Sequence, residues 1–194
     1  VPPQQGQWPD APSRYERSGP EGDFSGQPRF DLTKLNQEYF DRLRSRVQAA
    51  QNRGIYVSVM LFQGGSIEAK GEPVNPWVGH PFNVKNNVNG IDGDLNHDGE
   101  GKEVHTLKIP AVTRVQEAYV RKVIDTLNDL DNVLYEISNE SHRDSQDWQY
   151  HIIQYIKQYE AGKAKQHPVG MTVEYPYGDN ADLLTSPAEW ISPN

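Results

Sequence analysis

Residues 132–141 read NVLYEISNES, and the fold turns on how that run ends. Val133, Leu134, Tyr135 and Ile137 favour an extended, buried strand. The run stops abruptly at Asn139-Glu140. Either Glu140 opens the next helix, where a carboxylate is welcome beside the positive N-terminus, or it is held at the end of a buried strand to handle protons. The stronger helix-start residues, Asp144 and Ser145, come four and five positions later. Asn139 and Glu140 therefore belong to the strand end and the loop that follows it.

Outward from that strand, helices and strands alternate. Residues 55–62, IYVSVMLF, are β-branched and almost wholly apolar, as a strand covered on both faces must be. Residues 169–173 and 189–192 supply a third and a short fourth strand. Asn36 is a plausible N-cap for a helix in which Tyr39, Phe40, Leu43, Val47 and Ala50 recur at helical spacing and which Gly54 closes. Pro110 opens a second helix, a third covers about 145–161, and 181–184 fits a short fourth. This order predicts one α/β domain over 1–194 with a parallel sheet and helical crossovers. Residues 1–30 are rich in Pro, Gly and Gln, carry no periodicity and read as an irregular loop. Two architectures fit, an open doubly wound sheet or part of a (β/α)8 TIM barrel. Both place ligand sites at the C-terminal ends of the strands.

The balance of 19 Lys and Arg against 27 Asp and Glu gives a net charge of −8. Nucleic acid and anionic membranes need basic patches, so neither is expected as a partner. No apolar stretch is long enough to cross a bilayer. The absence of cysteine excludes thiolate catalysis and disulfides. The chain opens on Val1 with no initiator Met or signal peptide, and its last residues stop inside a strand and its loop. Both ends read as severed.

The candidate residues gather on one rim. Strand 55–62 runs into Gln63-Gly64-Gly65, strand 133–138 into Asn139-Glu140-Ser141-His142, and strand 169–173 into Glu174-Tyr175. Glu136 shares parity with Glu140, and a buried carboxylate needs a partner, expected to be an Arg or a backbone donor. The connection 63–105 is long enough to suggest a functional loop. Within it, Trp77 and His80 lie among prolines. They suit sugar stacking or substrate orientation, with loop anchoring as the competing role. Asp94, Asn96 and Asp98, followed by Gly99, copy the first half of a calcium-binding EF-hand loop, but the second half fails. A structural calcium competes there with a plain Asp/Gly turn. No cofactor is otherwise required. No phosphate-binding glycine loop and no Gly-x-Ser-x-Gly elbow is present.

More than the Asn-Glu pair carries a resemblance. FDLTKLNQEYFDRL, GIYVSVMLF, NPWVGHPFNVKNNVNGIDGD, VHTLKIPAVTRVQEAYVRKVID, NVLYEISNES and SPAEWISPN together resemble the cellulase-family or apiosidase-like glycoside hydrolases of bacteria, in the retaining (β/α)8-barrel clan. The likeness runs from about residue 12 to the end. It implies that the chain covers about strands three to six of such a barrel. Glu140 would then be the general acid/base and Asn139 the donor to the sugar 2-hydroxyl. Trp77, His80, His142 and Tyr175 would be rim contacts to a carbohydrate substrate.

The clan's nucleophile lies on strand seven, and no residue here matches it, so the fragment alone is expected to be inactive. Retaining hydrolysis uses two carboxyls about 5 Å apart, and the proton donor needs burial or a neighbouring carboxylate to hold its proton near neutral pH. A polymeric substrate implies an extracellular or periplasmic location. Two other classes remain: a carbohydrate-binding barrel without catalysis, and a different α/β enzyme on an open sheet.

Overall fold

The computed structural model describes residues 12–176 and 178–193. It is a mixed α/β fold containing a two-stranded hairpin and a four-stranded parallel sheet. The sheet strands are β3 (Val57–Gln63), β4 (Val133–Asn139), β5 (Val169–Thr172) and β6 (Trp190–Ser192), hydrogen-bonded in chain order. Between them run α2 (Pro110–Leu127), α3 (Gln146–Glu160) and the short α4 (Asn180–Leu184), with α1 (Gln37–Gln51) preceding β3. The Asn36 side chain accepts from Glu38 N at 3.1 Å, so the N-cap read from sequence forms.

The register explains which face is buried. Val59 pairs with Tyr135 and Tyr135 with Val169. These side chains share a face and pack with Phe40 and Val47 of α1, Val120, Val123 and Ile124 of α2, and Trp148, Ile152 and Ile156 of α3 into one core. The next row reads Met60, Glu136, Gly170, Trp190 across all four strands, and Met60 is 43% exposed. The sequence reading of β3 as covered on both faces is thus corrected: α1, α2 and α3 all contribute to the core on one side, and the other side of β3 stays open. On that side Glu136 accepts from Ser58 Oγ (3.2 Å) and Thr172 Oγ1 (2.8 Å), so hydroxyls of the flanking strands partner it, and among the described residues no Arg or backbone donor does. The Trp190 ring lies over Gly170 so closely that a β-carbon there would sit 1.9 Å from it; only glycine fits.

The irregular reading of residues 1–30 is corrected from residue 15 onward. β1 (Tyr15–Glu21) and β2 (Pro28–Leu35) form an antiparallel hairpin, while residues 1–11 lie outside the described ones. Its partners are distant in sequence, which is why no local periodicity announces it. Val88 N donates to Phe30 O (2.9 Å) and Leu32 N to Asn89 Oδ1 (2.7 Å). Tyr15, Phe30 and Leu32 join Ile67, Trp77, Phe82, Val104 and Val112 in a second core.

The connection 63–105 is ordered by its own side chains. It holds four short 3₁₀ turns, and buried Asn86 and Asn87 tie them together. The Asn86 amide donates to Val78 O (2.8 Å) and His80 O (3.0 Å). Asn87 Nδ2 reaches the carbonyls of Pro81, Asn83 and Ile91, and its Oδ1 accepts from Ile91 N. Buried amides used this way satisfy backbone groups that no helix or sheet serves. Among the described residues no helix is long and apolar enough to cross a membrane.

Candidate functional site

The C-terminal ends of β3 and β4 meet as Gln63 pairs with Asn139. Their side chains also touch, Asn139 Nδ2 donating to Gln63 Oε1 at 3.3 Å. Glu140 follows with φ +52°, a left-handed conformation that costs a non-glycine residue on the order of 1–3 kcal/mol and persists only when its surroundings impose it.

Those surroundings are visible. A β-carbon on Gly64 would lie 2.0 Å from Glu140 O, so the backbone after β3 presses directly on the backbone after β4. One on Gly65 would lie 3.5 Å from Glu140 Oε2, which puts the carboxylate beside this glycine pair. Lys70, itself at φ +49°, donates through Nζ to Glu140 O and to Tyr175 O (2.8 Å). Its ammonium also lies 3.5 Å from Glu68 Oε1 and 5.0 Å from the centre of the Tyr175 ring. One lysine of the long loop therefore ties the ends of β4 and β5 together. Tyr175 N donates to Ser141 O (2.9 Å), completing the seam, and the residue is 51% exposed.

Beneath Glu140 the supports are buried. Ser141 Oγ bonds Ser138 Oγ (2.7 Å) and His105 Nδ1 (3.0 Å), and the His105 ring stacks on Trp148 with centroids 4.2 Å apart. Burial pushes the His105 pKa well below the usual histidine value. Glu174, two residues past β5, is 1% exposed, and neither of its carboxylate oxygens has a hydrogen-bond partner among the described residues. Burial pushes its pKa up.

The structure brings Asn139, Glu140 and Tyr175 into one cluster. The other residues singled out in the sequence stand elsewhere. His142 is buried, and its Nε2 donates to Lys102 O (2.8 Å), which fixes the loop after β4 to the long loop. Trp77 is 2% exposed, stacks on His80 at 5.1 Å and packs against Gly101. His80 Nδ1 accepts from Phe82 N (3.2 Å), and burial, together with the Arg14 charge, pushes its pKa down to about 3. Both residues anchor the loop here.

Asp94, Asn96 and Asp98 form an Asp/Gly turn. Asp94 accepts from Asp98 N (3.2 Å) and Gly99 N (3.0 Å), Asn96 Oδ1 from Asp98 N (3.0 Å), and Asp98 from Glu100 N (2.9 Å). No group of three or more His, Cys, Asp or Glu side chains among the described residues is arranged to hold a metal ion.

Sequence reasoning passed over Lys70, and it placed Gly64 and Glu174 on the rim without giving either a role. A left-handed lysine in a glycine-rich loop leaves no pattern, and neither does a contact between two backbones. Glu174 did have a signal: a carboxylate two residues beyond a buried strand, on the same rim as Glu140. Arg14 was missed with the hairpin. It donates to Leu61 O (3.3 Å) and lies 4.7 Å over the Tyr119 ring.

The model of a family described as "Domain of unknown function (DUF6298)" matches residues 7–182. No curated protein and no solved structure matches the chain. The chain belongs to that family.

Proposed function

We propose that this DUF6298 chain carries the acid/base half of a retaining glycoside hydrolase, on a segment of a (β/α)8 barrel. The fold supports the segment reading through four parallel strands in chain order with the helical core on one side. Barrel strands follow one another in that way, their helices outside and their inner face turned to the axis. The observation that carries the functional reading is Glu140: a carboxylate in a left-handed backbone at the C-terminal end of a parallel strand, beside Asn139, with its backbone held by Gly64 and Lys70.

In this reading Glu140 protonates the leaving glycosidic oxygen as the bond to the anomeric carbon breaks. In the second half-reaction the same group, now a carboxylate, takes a proton from the attacking water. The Asn139 amide donates to a ring hydroxyl, a bond that strengthens as the sugar becomes oxocarbenium-like. The exposed face of Tyr175 supports the ring. The nucleophile is assigned to no residue of this chain and belongs to a strand outside it. The substrate is a plant-type or bacterial oligo- or polysaccharide, and the setting extracellular or periplasmic.

The test uses the full-length protein that carries this chain, assayed on a panel of plant polysaccharides and aryl glycosides. Glu140→Gln is expected to lower kcat/KM on the active substrate by about 10²–10⁴ while oligosaccharide binding by titration calorimetry persists. Unchanged turnover in Glu140→Gln would refute the role. Binding without turnover in both proteins would make this a carbohydrate-binding barrel.

A further inference from the structure

Away from the Glu140 rim, the tip of the β1–β2 hairpin and the long loop enclose a cleft of about 550 Å³, within the ~300–1,000 Å³ typical of small-ligand sites. Its lining mixes apolar and polar groups. Phe24, Val78 and Val84 are exposed, and Asn83, Lys85, Asp92 and His97 stand beside them.

Phe24 is the unusual member. It is 68% exposed, yet it is not on a loose tip. Its N–H donates to the fully buried Asn86 (3.1 Å), and one edge of its ring meets Gly79, where a β-carbon would lie 3.4 Å away. The turn around it is fixed by Asp23, which accepts from Ser25 N and Gln27 N (2.8 Å each) and pairs with Arg17. A large apolar ring is thus presented to water from a hydrogen-bonded turn, at the unfavourable ~25 cal/mol per Å² of exposed apolar surface. The Lys85 ammonium and the His97 ring in the same cleft have no hydrogen-bond or ion-pair partner among the described residues.

We propose that this cleft is a glycan-binding subsite, in which Phe24 stacks against the C–H face of a sugar ring and Lys85, His97 and Asp92 bind its hydroxyls. This rests on the glycosidase reading for the choice of ligand. Sugars suit the lining because one pyranose presents an apolar face and a polar rim together, as the cleft does. The net charge of −8 disfavours polyanions. The long loop that walls the cleft also reaches the rim. Lys102 bridges Glu100 (2.5 Å) and Glu68 (3.5 Å), and Glu68 meets Lys70, whose Nζ holds Glu140 O. The loop that walls the cleft is the loop that clamps the catalytic backbone, so a chain bound at Phe24 is held by the same unit that positions Glu140.

The experiment titrates soluble β-glucan and xylan hexasaccharides into the full-length protein, Glu140→Gln, Phe24→Ala and Phe24→Trp, alongside turnover of an aryl glycoside. Because Phe24 is exposed, thermal unfolding checks that Phe24→Ala folds normally. Binding weakened about 10-fold or more by Phe24→Ala and preserved by Phe24→Trp supports the subsite. It does so even if Glu140→Gln leaves turnover untouched, in which case the glycosidase reading alone fails. Equal affinity in wild type and Phe24→Ala would overturn the subsite. So would the absence of any hexasaccharide binding in a protein whose aryl-glycoside turnover depends on Glu140, leaving the glycosidase reading intact.

Discussion

The sheet-and-helix half of the molecule and the hairpin-and-loop half are held together by different physics. In the first, Val59, Tyr135, Ile137, Val169 and their helical partners bury side chains at strand and helix spacing, and the backbone pairs with itself. In the second, the connection 63–105 makes few ladder bonds. Asn86, Asn87, Asn89 and Asp94 donate and accept where a sheet would, around a core seeded by Trp77 and Phe82. The candidate site lies on the seam, Glu140 from one half pinned by Gly64 and Lys70 at the start of the other. A scaffold of regular elements sets where a catalytic strand ends; a polar, amide-braced loop sets how its last residue is held.

The largest test of that division is Trp77→Ala. Emptying the second core should cost about 3–5 kcal/mol. Amide exchange should accelerate through 63–105 and the hairpin while β3 and β4 keep their protection. Equal loss in β4 would merge the two halves into one cooperative unit.

Next come two glycines with similar steric insults and different consequences. Overpacking at Gly64 or Gly170 should each cost about 1–3 kcal/mol. Gly64→Ala drives a β-carbon into the Glu140 backbone and should abolish Glu140-dependent turnover. Gly170→Ala meets the Trp190 ring and should act mainly on the melting temperature. Similar kinetic losses in both would show that the seam has no special role.

A smaller effect is expected at Glu174. Its folded pKa is raised by burial, so the stability associated with its neutral form is complete below the unfolded value of about 4.3 and is lost as pH rises through the folded value. Glu174→Gln should therefore stabilise the protein at pH 7 by about 1 kcal/mol and leave it unchanged near pH 4. A stability loss at pH 7 would mean that the carboxylate has a partner.

The smallest is in the Asp94–Asp98 turn. Its oxygens already accept backbone N–H groups, so calcium against chelator should leave the melting temperature in place. A rise of about 2–4 °C, worth about 1 kcal/mol in a protein of this size, would put a metal in the turn.

The same contrast decides what was legible in the sequence. Val133–Asn139, Val169–Thr172 and the helices follow from local periodicity, and the Asn36 cap follows from residue type. The hairpin was invisible because Phe30 and Leu32 are satisfied by Val88 and Asn89, far along the chain. Trp77 and His80 were read as suited to sugar stacking or substrate orientation, with loop anchoring as the competing role, since an aromatic residue among prolines looks the same in either; the structure buries the Trp77 ring and gives His80 Nδ1 to Phe82 N. Asn139 and Glu140 were legible as the end of a strand. The left-handed turn at Glu140 was not, because Gly64 and Lys70 impose it from another part of the chain.

The most direct measurement is chemical rescue of Glu140→Ala in the full-length protein. With an activated aryl glycoside, azide should restore turnover that the substitution has removed and yield a glycosyl azide of the same anomeric configuration as the substrate. Full activity without azide, or loss that azide does not restore while the variant remains folded, would contradict the assignment of Glu140 as the acid/base.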